Sequence, residues 1–187
     1  MIGRALQEMI LDREINETDI YTLSDEALID KFSTSKNEIS KTLGNQLRSR
    51  SLFKRCGEIT MTAFNEAGRR FNHDFYTKAK NRLEKGAERT TIENETSEKL
   101  GVDSGKILLY FPQRGMNMKL ARTLIVWGGK NINFKDIEDA VVKPRLDNIL
   151  EAHKNLWTLQ VFASPELSEK TRNDAFALCE EMFLKKD

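Results

Sequence analysis

Histidine and cysteine are both scarce in this 187-residue chain, two of each, and the scarcity removes whole classes of chemistry. Cys56 and Cys179 lie far apart with no CxxC, so neither a disulfide framework nor a zinc site is built from them. A reducing, cytoplasmic setting is the expectation. There is no apolar run long enough to span a bilayer, and Met1-Ile2-Gly3-Arg4 leads straight into an amphipathic pattern instead of a signal-peptide core. A Gly-rich phosphate loop, a nucleophile elbow and a Cys–His pairing are missing too, as are internal repeats and low-complexity tracts. What remains is an ordinary soluble globular composition, with enough apolar residues for one sizeable core or two small ones.

The formal net charge of +1 conceals segregation. The first thirty-one residues are predominantly acidic, whereas from Lys41 to Arg55 five basic residues occur without an acidic one. A uniform nucleic-acid coat is therefore not expected, and the asymmetry suits a local anion site or an acidic-to-basic subunit contact.

Ile2, Ala5, Leu6, Met9 and Ile10 fall at helical spacing, in a helix with no visible start, as though an upstream part had been removed. Ser24 caps a second helix, with Leu28, Ile29 and Phe32 inward. Ser35 with Glu38 spells a capping box for a third, whose stripe is Ile39, Leu43 and Leu47. From Phe53 the period changes to two, with Gly57, Ile59, Met61 and Ala63 on the parity of Phe53, as in a half-buried strand. Phe64, Ala67, Phe71, Phe75, Ala79 and Leu83 then mark one long helix. Residues 90–105 read as a polar, solvated helix end or loop. Residues 107–111 and 124–127 read as buried strands, with Gly128-Gly129 as a tight turn. A helix near Pro144 with Leu146, Ile149 and Leu150 inward, a strand over 156–162, and a last helix opened by Ser164-Pro165-Glu166 complete the chain. Trp127 and Trp157 read as core. The expected fold class is α+β: about three helices over residues 1–50, then a small mixed α+β lobe over 51–187 with a mainly antiparallel sheet of about four or five strands.

The order of these elements, and above all Arg50-Ser51-Leu52-Phe53-Lys54 followed by Gly57-Glu58, resembles the C-terminal half of the HD-domain dNTP triphosphohydrolases of the SAM-and-HD-domain type. In that family a helical segment ends in an Arg-x-Leu-Phe/Tyr-Lys motif that opens a small α+β lobe. The resemblance covers about Ile2 to Ile59 and continues more weakly through the later strands. It implies that residues 1–50 continue an upstream HD domain absent from this chain. It also implies that Arg50 and Lys54 contact the phosphates of an effector nucleotide, a dNTP or GTP-like molecule bound between subunits; Arg48, still helical, and Arg55, pointing the other way along the strand, are outside the matched positions and are secondary candidates only. Physically the pairing is reasonable, because residues 50, 52 and 54 of an extended strand share one face and present a guanidinium fork and a mobile ammonium to one ligand.

The family's catalytic centre is a divalent-metal site made by a histidine, a later His-Asp dipeptide and a distant aspartate. His73-Asp74 spells the dipeptide, yet no histidine precedes it and one imidazole with one carboxylate is too small a ligand set. His153 reads as a capping or packing residue. No catalytic residue, metal site or cofactor is therefore expected in this chain alone, the metal belonging to the absent HD domain. The expected role is a non-catalytic regulatory and assembly region of an HD-domain phosphohydrolase, with further copies of itself or an HD-domain catalytic subunit as partner. The alternative is a nucleic-acid-binding module that uses the 41–55 patch and the long helix as a phosphate track. Cys56, beside Lys54 and Arg55, reads as a semi-buried strand cysteine more readily than as a redox centre.

Overall fold

Four helices precede the first strand in the computed structural model, which describes residues 1–71, 74–83, 85–111, 124–155 and 158–184. Helix α1 (Ile2–Leu11) buries Ala5 and Met9 on its apolar stripe, as expected, and also buries Arg4 and Glu8 on a second face. A short α2 (Glu17–Ile20), unforeseen in the sequence, closes on itself as Asp19 Oδ2 accepts from the Asn16 backbone amide at 3.1 Å. Helix α3 (Asp25–Ser33) starts at Ser24, whose Oγ accepts from the Ala27 amide, and buries Phe32 completely.

Helix α4 (Glu38–Arg48) corrects the expected Ser35/Glu38 capping box. Its cap is Asn37, whose Oδ1 accepts from the amides of Ile39 at 3.0 Å and Ser40 at 3.1 Å. Ser35 is buried and donates instead to Glu14 Oε2 at 2.9 Å, while the other Glu14 oxygen takes the Lys36 and Asn37 amides. The tertiary carboxylate thus satisfies donors that a local box would have taken, and the helix begins two residues later. Helices α3 and α4 pack closely because Gly44 has no side chain: a Cβ there would lie 2.5 Å from the Ser33 nitrogen and 2.6 Å from Phe32 Cβ.

Strand β1 (Lys54–Thr60) is shorter than its apolar alternation suggested and carries a bulge between Arg55 and Gly57, leaving Cys56 out of register. The long helix is two helices, α5 (Met61–Phe71) and α6 (Phe75–Leu83). The second is opened by Asp74, whose Oδ1 accepts from the Thr77 amide at 2.8 Å. An N-cap aspartate inside an apolar period is a start signal that periodicity alone passes over.

Residues 86–99 form α7 (Gly86–Lys99), not a solvated end. Its buried face holds Ile92, Glu93, Thr96 and Ser97, the two hydroxyls donating to carbonyls one turn back. Strand β2 (Ile107–Tyr110) follows. Strands β3 (Leu124–Trp127) and β4 (Lys130–Asn133) pair, among the described residues, only with each other, across a turn in which Gly128 and Gly129 have φ of 57° and 77°, a left-handed pair that glycine adopts without strain. Contrary to the buried-strand expectation, Leu124, Val126 and Trp127 are exposed. Helix α8 (Val142–Asn155) buries Leu146 but exposes Ile149, which was expected inward. Leu150 and His153 fall in the same helix, but their side chains, like the whole of Trp157, lie outside what is described. Strand β5 (Thr158–Ala163) leads to α9 (Glu169–Leu184), capped by Ser168 and not by Ser164.

The class is α+β, with five strands among the described residues, in antiparallel sheets of three and two. Strand β5, last in sequence, is central in the order β1-β5-β2, so both neighbours are recruited from far upstream. Alternation along these strands serves two cores at once. Ile59, Ile107, Leu109, Leu159 and Val161 face a core shared with α5, α6, α7 and α9. Leu108, Phe162 and Phe53 join the core beneath α1, α3 and α4.

The two sides are also joined by charge. Arg4 Nη1 lies 2.9 Å from Glu93 Oε2 on α7 and donates to Thr90 Oγ1, while Glu93 Oε1 accepts the Leu109 amide of β2 at 2.8 Å. Glu8 Oε1 stands 3.1 Å from Arg4 Nε, close but out of line for a hydrogen bond. Burial pushes the Glu93 carboxyl up from 4.5 to about 7, against the opposing pull of Arg4 and the Leu109 amide.

Two outcomes follow from this packing. As pH falls from about 7 towards 4.5, the folded chain takes up a proton at Glu93 that the unfolded chain does not, so this group adds stability on acidification and loses it as pH rises through 7. Urea unfolding across that range shows the gain in the parent chain, and Glu93→Gln flattens it. At the α3–α4 contact, Gly44→Ala lowers stability by about 2 kcal/mol, read from the shift in urea midpoint.

Candidate functional site

Helix α4 ends in a Schellman turn: the Ser51 amide donates to the Gln46 carbonyl at 2.9 Å and the Arg50 amide to the Leu47 carbonyl at 3.2 Å. The position that must turn left-handed is Arg50, at φ 56°. It is therefore no part of an extended strand, and the shared face expected for residues 50, 52 and 54 does not exist. Arg13 has φ 58° in the equivalent turn after α1, so the conformation is a repeated capping device in this chain and marks no function by itself.

The five-cation patch is sorted by its neighbours. Arg48 is ion-paired with Asp30 of α3, Arg55 with Glu58 at 3.1 Å, and Lys41 with Glu38 at 3.4 Å. Arg50 and Lys54 are exposed, and their side chains have no ion-pair or hydrogen-bond partner among the described residues. The two residues that the sequence motif singles out are thus the two whose charge stays available.

A concave surface lies on the neighbouring part of the chain. A cleft of about 260 Å³ lies between one face of α4, Phe53 and the loop over 103–106. Its α4 wall is Ile39, Thr42, Leu43 and Gln46. Arg50 sits midway along the segment that links Gln46 to Phe53, and Lys54 follows Phe53, so both are close to this cleft in sequence while neither lines it. Lys54 opens β1 opposite Ala163 of β5, whose other neighbour is Ile107 of β2. One end of the sheet therefore gathers Lys54, Ser164 and Lys106, the last two joined by the Ser164 amide donating to the Lys106 carbonyl at 2.8 Å.

Lys106 and Gln46 were not singled out from the sequence. Lys106 is ion-paired with Glu166 and holds that carboxyl below its ordinary value. Gln46 is buried, with Nε2 donating to Ser164 Oγ at 3.4 Å and Oε1 without a donor. Nothing in a local window marks a glutamine on an exposed-looking basic helix as a cleft wall.

Other candidates resolve differently. His73 lies outside the described residues, and its neighbour Asp74 serves as the N-cap of α6. Among the described residues no three of His, Cys, Asp and Glu gather as a metal site, and no helix is long and apolar enough to cross a membrane. Burial pushes the Cys56 thiol up, with Arg172 opposing, and raises Cys179 to about 12, so neither thiolate is favoured.

A helical layer and an α+β lobe share one sheet, and Arg50 and Lys54, unpaired among the described residues, stand where the two meet. The model for the HD associated region matches residues 1–186, and the chain belongs to that family. No curated protein and no solved structure matches it.

The Arg50 conformation gives a direct outcome. Arg50→Gly removes left-handed strain from the turn and raises stability by about 1 kcal/mol in thermal or urea unfolding, while deleting one of the two available charges.

Proposed function

We propose that this chain is the non-catalytic regulatory and assembly region of an HD-domain nucleotide phosphohydrolase, and that Arg50 and Lys54 take phosphates of an effector nucleotide. The family match supplies the HD-domain context. The observation that carries the phosphate role is the sorting of the basic patch, in which Arg48 and Arg55 are neutralised while Arg50 and Lys54 are left unpaired beside a cleft. Of the four cations first considered, only these two retain the full charge and donor set that phosphate binding needs. Arg48 and Arg55 can assist only by giving up Asp30 and Glu58. The two binding groups stand on different elements, a helix cap and a strand start, so a ligand that bridges them reports on how the helical layer sits against the sheet. That gives the nucleotide a physical means of influencing an HD-domain partner or a further copy of the chain.

Calorimetric titration of the full chain with GTP and dATP, alone and with an HD-domain phosphohydrolase subunit present, tests the reading. Binding that is lost in Arg50→Glu/Lys54→Glu, with an unchanged circular dichroism spectrum, is the expected outcome. Unaltered affinity in the double variant, or no binding in either setting, overturns it. Salt-sensitive binding of a single-stranded oligonucleotide that neither nucleotide displaces would replace it with the nucleic-acid reading.

A further inference from the structure

The charges that segregate along the sequence also meet in space, at one end of the α3–α4 pair. Gly44 packs on Phe32 and Ser33, and Arg48 is ion-paired with Asp30, so the two helices run antiparallel. The start of α3 therefore stands beside the turn that ends α4. On the α3 side, Asp25 and Glu26 are exposed in the first turn, where they favour the helix dipole. Their carboxylates have no ion-pair or hydrogen-bond partner among the described residues. Tyr21, just before the Ser24 cap, is 90% exposed. On the α4 side stand Arg50, exposed and likewise unpaired, and Leu52, 50% exposed.

Each side thus joins a large apolar side chain to charge of one sign, and the two signs are opposite. A lone exposed apolar residue is ordinary, but two of them flanked by unpaired charge at one end of a helix pair make an amphipathic surface. Complementary patches that adjoin in this way are satisfied together by a two-fold axis, because the acidic half of one copy then meets the basic half of the other, and the reverse. Any register that sets like on like is opposed by repulsion. The Arg48–Asp30 pair already makes the same guanidinium–carboxylate match within one copy, at the inner edge of this surface.

We propose that this end of the α3–α4 pair is the contact between two copies of the chain, a two-fold dimer that rests on the assembly part of the reading above and needs no nucleotide. Arg50 of each copy pairs with Asp25 or Glu26 of the other, while Tyr21 and Leu52 pack across the boundary. The ion pairs lie at an exposed surface, so salt weakens the dimer.

Sedimentation velocity and light scattering of the full chain, from low-micromolar to near-millimolar concentration and at low and high salt, measure the equilibrium. The expected result is a reversible dimer whose dissociation constant rises by about tenfold or more in Arg50→Glu, and by as much in Asp25→Lys/Glu26→Lys, each with an unchanged circular dichroism spectrum. Tyr21→Ser weakens it as well. Mixing the two charge-reversed variants in equal amounts restores a dimer that neither forms alone, which damage to the fold cannot imitate. A parent chain that stays monomeric throughout, a dimer indifferent to both reversals, or a mixture that stays monomeric overturns the proposal. So does a monomeric chain that instead joins an HD-domain subunit through these residues. Calorimetric nucleotide binding that persists in Asp25→Lys/Glu26→Lys while the dimer is absent leaves the phosphate reading standing without this one. A dimer in a chain that binds no nucleotide does the reverse.

Discussion

One buried ion pair decides how the two sides of this molecule meet. Arg4 and Glu93 are removed from water together, eighty-nine positions apart in sequence, and their contact offsets part of the cost of burying either. Such a pair need not add net stability over an apolar contact of the same shape, but it punishes any arrangement that separates its members. Glu93 extends the constraint by accepting the Leu109 amide, which fixes α7 against β2, and Arg4 extends it through Glu8 along α1. Helix α1 in turn receives Ser40 Oγ of α4 on the Ala5 carbonyl at 2.6 Å. From Glu93 to Arg4, to α1, to α4, the chain of contacts ends at the Schellman turn that presents Arg50. The cleft exists because this route holds α4 over the sheet end while Gly44 lets α3 close behind it.

The same pair explains where sequence reading succeeded and where it did not. The helix stripes of α1, α3 and α4, the strands around Ile107 and Leu159, and the Gly128-Gly129 turn were legible because each is a local pattern with one partner surface. Helix α7 was not, because beside Ile92 its buried face is Glu, Thr and Ser, and the tertiary bonds of Glu93 to Arg4 and Leu109 are invisible in a local window. The Ser35/Glu38 box failed for a related reason: a carboxylate twenty-one residues away, Glu14, outcompeted the local partner. Strand β3 misled in the opposite direction, since a run of Leu, Ile, Val and Trp says nothing about whether a second sheet face arrives to cover it.

At the candidate site, the structure replaces the geometric reason for which Arg50 and Lys54 were paired. Alternation along a strand was invoked to put Arg50 and Lys54 on one face, whereas Arg50 belongs to a helix cap and Lys54 to a strand. What brings them to one border is the length of the connection, since the helix must reverse within a few residues to deliver Phe53 into the core beneath α1 and α4. The neutralisation of Arg48 and Arg55 depends on Asp30 and Glu58, of which the first lies on another helix and is invisible to any reading of 41–55 alone.

Two exposed cations are a weak hold for a ligand. Charge-assisted hydrogen bonds contribute about 1.5 to 3 kcal/mol each, and ordering two long side chains consumes about 0.5 to 1.5 kcal/mol apiece. The remainder, about 0 to 5 kcal/mol, corresponds to dissociation constants of a few tenths of a millimolar at best, since millimolar binding needs about 4 kcal/mol. A nucleotide held only by Arg50 and Lys54 would therefore be bound weakly. Specific occupancy needs further contacts, and the surroundings offer two sources: the cleft that shares the 46–54 segment, and a second protein surface laid across the exposed border. Either one converts a loose phosphate contact into a bridge between elements, and only such a bridge can make the position of α4 on the sheet depend on ligand.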